Sequence, residues 1–177
     1  MRVSKQKSAE NRERILREAS RLFRERGLAG VGVDALSDAA GLSHGSLYSQ
    51  FGSKDCLATE ALAHGFAGSA EKYATTADIA QFAARYLSEA HRDNRGQGCT
   101  VAALASDIPH QSEAVRAGFT DGVRGMIARV SRLVPAGEDP LATVATLVGA
   151  LMLARAVDDP ELSEALLVAG RARVVGA

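Results

Sequence analysis

The side chains with which this chain of 177 residues could do chemistry are four histidines, two cysteines and scattered serines. His44, His64, His91 and His110 do not fall at metal-ligand spacing, and there is no HExxH. Cys56 and Cys99 are far apart and form no CxxC pair, so neither zinc nor a disulfide framework is indicated. Ser46 stands in His-Gly-Ser-Leu with no strand before it, which is no nucleophile elbow. Gly27, Gly30 and Gly32 do not make GxGxxG after a strand and read as loop formers. No catalytic residue, metal or cofactor is expected, and the chain does not read as an enzyme. What remains is a cluster of hydrogen-bonding side chains in Ser43, His44, Ser46 and Ser49, with Tyr48 and Lys54 beside them. Short donors and acceptors of this kind suit a backbone pressed close to base edges in a DNA major groove.

Two short helices must present that cluster. In Val33 to Phe51, Val33, Leu36, Ala39 and Ala40 share one side of the first. Gly41 supplies a permissive backbone where a sharp turn is needed. Ser43 is placed to cap the second helix, whose inward stripe is Leu47, Tyr48 and Phe51. A short helix, a glycine turn and a second short helix read as helix-turn-helix. Two helices of this length cannot make a core alone, so a third must cover them. From Ser8, Ile15, Leu16, Ala19, Leu22 and Phe23 recur at helical spacing, after a polar arm carrying Arg2, Lys5 and Lys7. Through Arg26 the chain holds nine Lys or Arg against four Glu, although its formal net charge is zero. Basic charge is therefore concentrated beside the hairpin. After Phe51, Ser53 is a good N-cap and Asp55 suits the helix dipole. Lys54 sits unfavourably at that helix start, where a DNA phosphate beside Tyr48 is a natural partner.

Beyond Gly68 basic residues thin out and Ala and Leu dominate. Helices are expected near 77–92, 99–107, 111–133, 140–157 and 161–173. Asp139-Pro140 and Asp159-Pro160 each offer an N-cap followed by proline at the first helical position. The apolar surface of 141–154 is wider than one buried stripe needs, so it is either enclosed in the protomer or buried against another chain. Arg155 interrupts this helix, and either an intrahelical pair with Asp159 or an ion pair across a dimer accounts for it. The chain is 46% apolar and 5% aromatic, which suits a mostly helical protein. No apolar run reaches membrane-spanning length and the N-terminus has no apolar leader, so a reduced cytoplasmic location is expected.

Arg14 to Leu62 resembles the DNA-binding domain of TetR-type transcriptional regulators. The likeness lies in the order and spacing of Ile15, Ala19, Phe23, Gly27, Val33, Ala40-Gly41, Leu47-Tyr48, Phe51, Lys54 and Leu57. The remaining two thirds resemble that family in length and helical texture. The resemblance implies an all-α fold. An N-terminal three-helix DNA-binding domain with helix-turn-helix (1–52) would precede a C-terminal helical ligand-binding and dimerisation domain (53–177). It further implies a homodimer through the helices near 140–157 and 161–173. Such a dimer would repress transcription from a near-palindromic operator on double-stranded DNA, released by a small-molecule effector.

By the same resemblance Tyr48 and Lys54 match positions that grip backbone phosphate, while Ser43, His44, Ser46 and Ser49 match the exposed side of the recognition helix. Tyr48 read from composition alone is equally a half-buried core aromatic, and His44 a plain surface histidine. Gly45 permits close approach but weakens the helix. Candidates for the effector pocket are Phe66, Phe82, Tyr86, Cys99, Phe119, Met126 and Met152, each of which also suits an ordinary core. Tyr73, Leu104 and Ile108 belong to the same wider set. Cys99 is either a thiol sensor near a helix start or a small buried hydrophobe. The rival to the whole reading is a helical homodimer that binds a ligand or protein without reading DNA.

Overall fold

The computed structural model describes residues 5–176, and Arg2 of the expected arm lies outside them. The described residues form ten α-helices. Helix α1 (Lys5–Arg26) lies across α2 (Val33–Ala40), which is followed by α3 (His44–Phe51), and α4 (Lys54–Lys72) leaves the group. Helix α1 begins at Lys5, so Lys5 and Lys7 belong to a helix and not to a loose arm. Lys7 lies 3.6 Å from Glu10, an i,i+3 pair of the kind that supports an exposed helix end.

The first core is built by the apolar spacing of these four helices. Ile15, Ala19, Leu22 and Phe23 of α1 meet Leu36 and Ala40, Leu47 and Phe51, and Leu57, Ala61 and Leu62, with Leu28 and Val31 from the linker. Ala39, expected on the inward side, is exposed. Leu104, Ile108 and Val115 from the later part of the chain complete this core.

The remaining elements are α5 (Ile79–Tyr86), α6 (Glu89–Asp93), α7 (Thr100–Leu104), α8 (Glu113–Val130), α9 (Pro140–Ala156) and α10 (Pro160–Val175). The single helix expected over 77–92 is broken at Leu87-Ser88. Ser88 accepts the His91 amide at 3.2 Å and so caps α6. The Tyr86 carbonyl, freed by the break, is taken by the His91 ring at Nδ1, 2.6 Å away. Helices α9 and α10 begin as their Asp-Pro pairs require. Asp139 accepts from the Leu141 amide at 2.8 Å, and Asp159 from the amides of Glu161 and Leu162 at 2.9 and 3.1 Å. These two helices pack on each other, and α4 packs on α1 along one side and α8 along the other.

The second core gathers Tyr73, Phe82, Tyr86, Leu87, Met126, Val130, Leu147, Leu151 and Leu167. Phe66 and Phe119, in T-shaped contact at 6.0 Å between centroids, pack against both cores and join them. Leu141 and Leu153 of α9, and Leu162, Val168 and Val175 of α10, remain exposed. No helix among the described residues is long and apolar enough to cross a membrane.

Candidate nucleic-acid interface and the cavity behind it

The turn between α2 and α3 follows from Gly41. Its backbone is left-handed at φ 61, which L side chains resist. Gly41 N–H then bonds the Asp38 carbonyl at 3.0 Å and Leu42 N–H the Ser37 carbonyl at 3.0 Å, a Schellman closure that stops α2 and points the chain into α3. Ser43 caps α3, its Oγ accepting from the Ser46 amide at 3.3 Å. Leu47 and Phe51 anchor the inner side of α3. Arg12 fastens its far end: the guanidinium lies 4.3 Å from the Phe51 ring centroid, donates to the Gln50 carbonyl at 2.7 Å and pairs with Glu60.

With the inner side fixed, the outer side of α3 presents Ser43, His44, Gly45, Tyr48 and Ser49 to solvent, and Ser46 half-buried. Ser43 Oγ and Ser46 Oγ lie 3.1 Å apart, and Ser49 Oγ donates back to the Ser46 carbonyl at 2.9 Å. Each hydroxyl keeps acceptor lone pairs for an outside partner. His44 is not an isolated surface histidine, because its Nε2 stands 2.6 Å from Asp34 Oδ1 on α2. Only Nδ1 is left to meet another group. Tyr48 is 47% exposed and lies outside the packed cluster. Lys54, at the start of α4 behind a Ser53 cap, donates from Nζ to the Leu28 carbonyl at 3.0 Å. An ammonium has three N–H donors, so two remain.

Sequence reasoning missed the clamp around Leu28. Its N–H bonds Asp107 Oδ2 at 2.8 Å, while its carbonyl takes Lys54. Gly27, at φ 77, lets the carboxylate approach, since an added Cβ there would stand 2.7 Å from Asp107 Oδ2. One turn earlier, Arg24 donates from Nε to the Gly96 carbonyl at 2.9 Å. The end of α1 and the linker after it are thus held by Gly96 and Asp107, each more than seventy positions from its partner, and by Lys54. No periodicity signals such bonds.

Behind this interface a cavity of about 360 Å³ lies between α4, α5, α7 and α8. Phe66, Tyr73, Phe82, Tyr86, Cys99 and Met126 line it. Two expected lining residues do not. Phe119 is not in the wall and meets the lining Phe66 edge-on. Met152 faces the end of α1 and α7 instead, beside Arg24, Asp107 and Arg155. Leu104 and Ile108 belong to the first core. Among the lining residues that went unforeseen are Thr100, Arg129 and the glycines of α8, Gly118, Gly122 and Gly125. At Gly122 the Phe66 ring occupies the space of a side chain, 2.0 Å from where a Cβ would stand. A glycine at every turn of a helix is a visible signal for close packing or open space.

Burial pushes the Tyr73 phenol up to about 12 and Tyr86 well above its ordinary value. Neither hydroxyl has a hydrogen-bond partner, nor does Thr100 Oγ1, and the Cys99 thiol beside Tyr86 raises its pKa further. Cys99 itself is buried, and its amide donates to His91 Nε2 at 2.9 Å. Since Nε2 accepts, Nδ1 carries the ring proton that bonds the Tyr86 carbonyl. Burial holds His91 neutral, lowering it to about 4. Arg155 does not pair with Asp159. It donates to the carbonyls of Arg92 and His91 at 3.0 and 2.7 Å, because the end of α6 turns those carbonyls towards it.

Residues 15–61 match the family described as bacterial regulatory proteins, tetR family. The HTH-type transcriptional repressor NemR of Escherichia coli (strain K12) is 23% identical over 146 residues, covering 77% of this chain and 73% of that protein. The crystal structure of reduced E. coli NemR superposes with a TM-score of 0.78 at 23% identity, over 94% of this chain and 96% of that one. A TetR transcriptional regulator from Chloroflexus aurantiacus J-10-FL gives 0.78 at 22% identity, over 96% of each chain. At such identities the structural likeness concerns the fold.

Proposed function

We propose that this chain, whose residues 15–61 match the tetR family of bacterial regulatory proteins, is a transcriptional repressor of that family that binds a near-palindromic operator as a homodimer and is released by a small molecule. The observation that carries this reading is α3, whose inner side is locked to α1 and α4 while its outer side offers only short polar groups and Tyr48. Residues 1–52 would read DNA and 53–177 would sense and dimerise, in the cytoplasm. Ser43, His44, Ser46 and Ser49 face base edges, and Tyr48 and Lys54 hold phosphate. The exposed Leu141, Leu153, Leu162, Val168 and Val175 supply an apolar face for a second copy along α9 and α10. Two recognition helices in such a dimer stand about 34–36 Å apart, one turn of DNA. The cavity holds the effector. Its wall adjoins the head where α4 passes α1 and α7: a Cβ at Gly65 would lie 2.6–2.8 Å from Arg24, Ser20 and Thr100.

Selection of genomic fragments by the purified protein tests the reading. An enriched palindrome is the expected outcome; no enrichment, with or without added cell extract, contradicts it and favours a dimer that binds ligand or protein alone. On an enriched fragment, Lys54→Ala weakens binding to cognate and random DNA alike and lowers the salt slope by roughly one. A changed base preference with an unchanged slope would refute the phosphate role.

A further inference from the structure

The cavity wall holds a cation that lacks a partner of opposite charge. Several arginines elsewhere meet carboxylates: Arg12 with Glu60, Arg21 with Glu18 and Glu25, Arg171 with Glu164. The one arginine in the cavity wall does not. Arg129 is half-buried in the cavity wall with no carboxylate partner, and burial lowers its pKa. Arg85 and Lys72 lie over the Tyr73 ring at 5.2 and 5.8 Å, and Arg85 spends its donors on the Lys72 carbonyl and the Thr76 hydroxyl. The one carboxylate in the wall, Asp121, is exposed and paired with Arg124 at 3.0 Å. Arg129 in the wall, with Arg85 and Lys72 over the lining Tyr73, favours an anion on this side of the cavity.

The rest of the wall adds shape. Phe66, Tyr73, Phe82, Tyr86 and Met126 give it flat apolar surfaces, and α8 offers glycine where side chains would otherwise fill the space. The hydroxyls of Tyr73, Tyr86 and Thr100 are buried without a partner, and Tyr73 lies near enough to Arg129 for their charges to interact. At about 360 Å³ the cavity is at the small end of ligand sites, which run from about 300 to 1,000 Å³.

We propose that this cavity binds a small planar organic anion of the aromatic carboxylate class, its ring among the aromatic side chains and its carboxylate held by Arg129. This rests on the effector reading and narrows it to a ligand class. A bidentate carboxylate on a desolvated guanidinium gives both affinity and orientation.

Calorimetric titration of the full chain with 2-naphthoate and with its neutral match 2-naphthamide tests it. The carboxylate binds at least about tenfold more tightly than the amide, the discrimination expected of one charge-assisted contact. Arg129→Gln removes that preference, so that the two ligands bind alike. Gly125→Leu blocks both ligands without lowering the melting temperature, because a Cβ at Gly125 meets nothing within 4 Å. Equal affinity for the two ligands, or binding of neither, overturns the proposal. Should 2-naphthoate bind and leave an enriched DNA fragment bound, the ligand class stands and the effector reading falls. Should a neutral compound release that DNA from a protein that ignores 2-naphthoate, the effector reading stands and the ligand class falls.

Discussion

The head and the regulatory region solve opposite packing problems. In the head, Ile15, Phe23, Leu28, Leu36, Leu47, Leu57 and Leu62 are fully buried, and the polar chemistry lies on the outside of α3. In the regulatory region the polar chemistry lies inside. Three unpartnered hydroxyls and a cation without a carboxylate gather in one cavity wall, amid otherwise apolar packing. Unpartnered atoms also occur in the head, at Arg14 Nε, Ser37 Oγ and Gln50 Oε1, but on three separate helices. A reading surface needs a rigid interior, and a sensing interior needs groups that an occupant can complete. The difference teaches where each region tolerates change.

The largest effect belongs to the head. Leu47→Ala removes a fully buried anchor of α3, at a cost of about 2–5 kcal/mol in chemical denaturation, and abolishes DNA binding. A loss well below that range would mean that α3 is held from elsewhere.

Next is a pH dependence seated in the regulatory region. His91 sits near 4 in the folded chain against 6.5 unfolded, chiefly through burial. A depressed histidine contributes its full stability above pH 6.5, and that contribution is lost as pH falls through 4. The change amounts to about 3 kcal/mol. Thermal unfolding across this window should therefore show a steeper decline for the native protein than for His91→Gln. Parallel curves would remove His91 from the account.

Gly45→Ala should stabilise α3 by up to 1 kcal/mol on the order-of-magnitude helix scale, since the nearest atom to its Cβ is Ser43 Oγ at 3.9 Å. The same methyl should weaken operator binding by standing in the groove. A variant that is both more stable and equally tight would show that α3 does not approach DNA at this point. The smallest effect is expected for Tyr86→Phe, which deletes a buried hydroxyl that has no partner. Its stability should match or exceed that of the native chain, whereas a loss of more than about 1 kcal/mol would reveal a bond at that oxygen.

The two regions also differ in how much of them the sequence discloses. The helix-turn-helix is written in local spacing: Gly41, the Ser43 cap, and Leu47 with Phe51 lie within eleven residues, and short-range rules suffice to place them. The Asp-Pro starts of α9 and α10 were legible for the same reason. The cavity is assembled from α4, α5, α7 and α8, so its wall depends on which face each helix turns inward. Five of the seven residues singled out for it line it, and Phe119 and Met152 point elsewhere. Arg129 looked like any surface arginine in sequence. The break at Ser88 was hidden because the apolar period continues through it, and the Ser88 cap and the His91 bond to the Tyr86 carbonyl that hold it have no periodic signal.

Equilibrium titration of an enriched DNA fragment, with stoichiometry from sedimentation and salt varied from about 50 to 200 mM, bears most directly on the claim that this chain reads DNA as a pair. Two protomers per palindrome, with affinity falling by orders of magnitude across that range, is the predicted result. One protomer per site, or an affinity indifferent to salt, would contradict it.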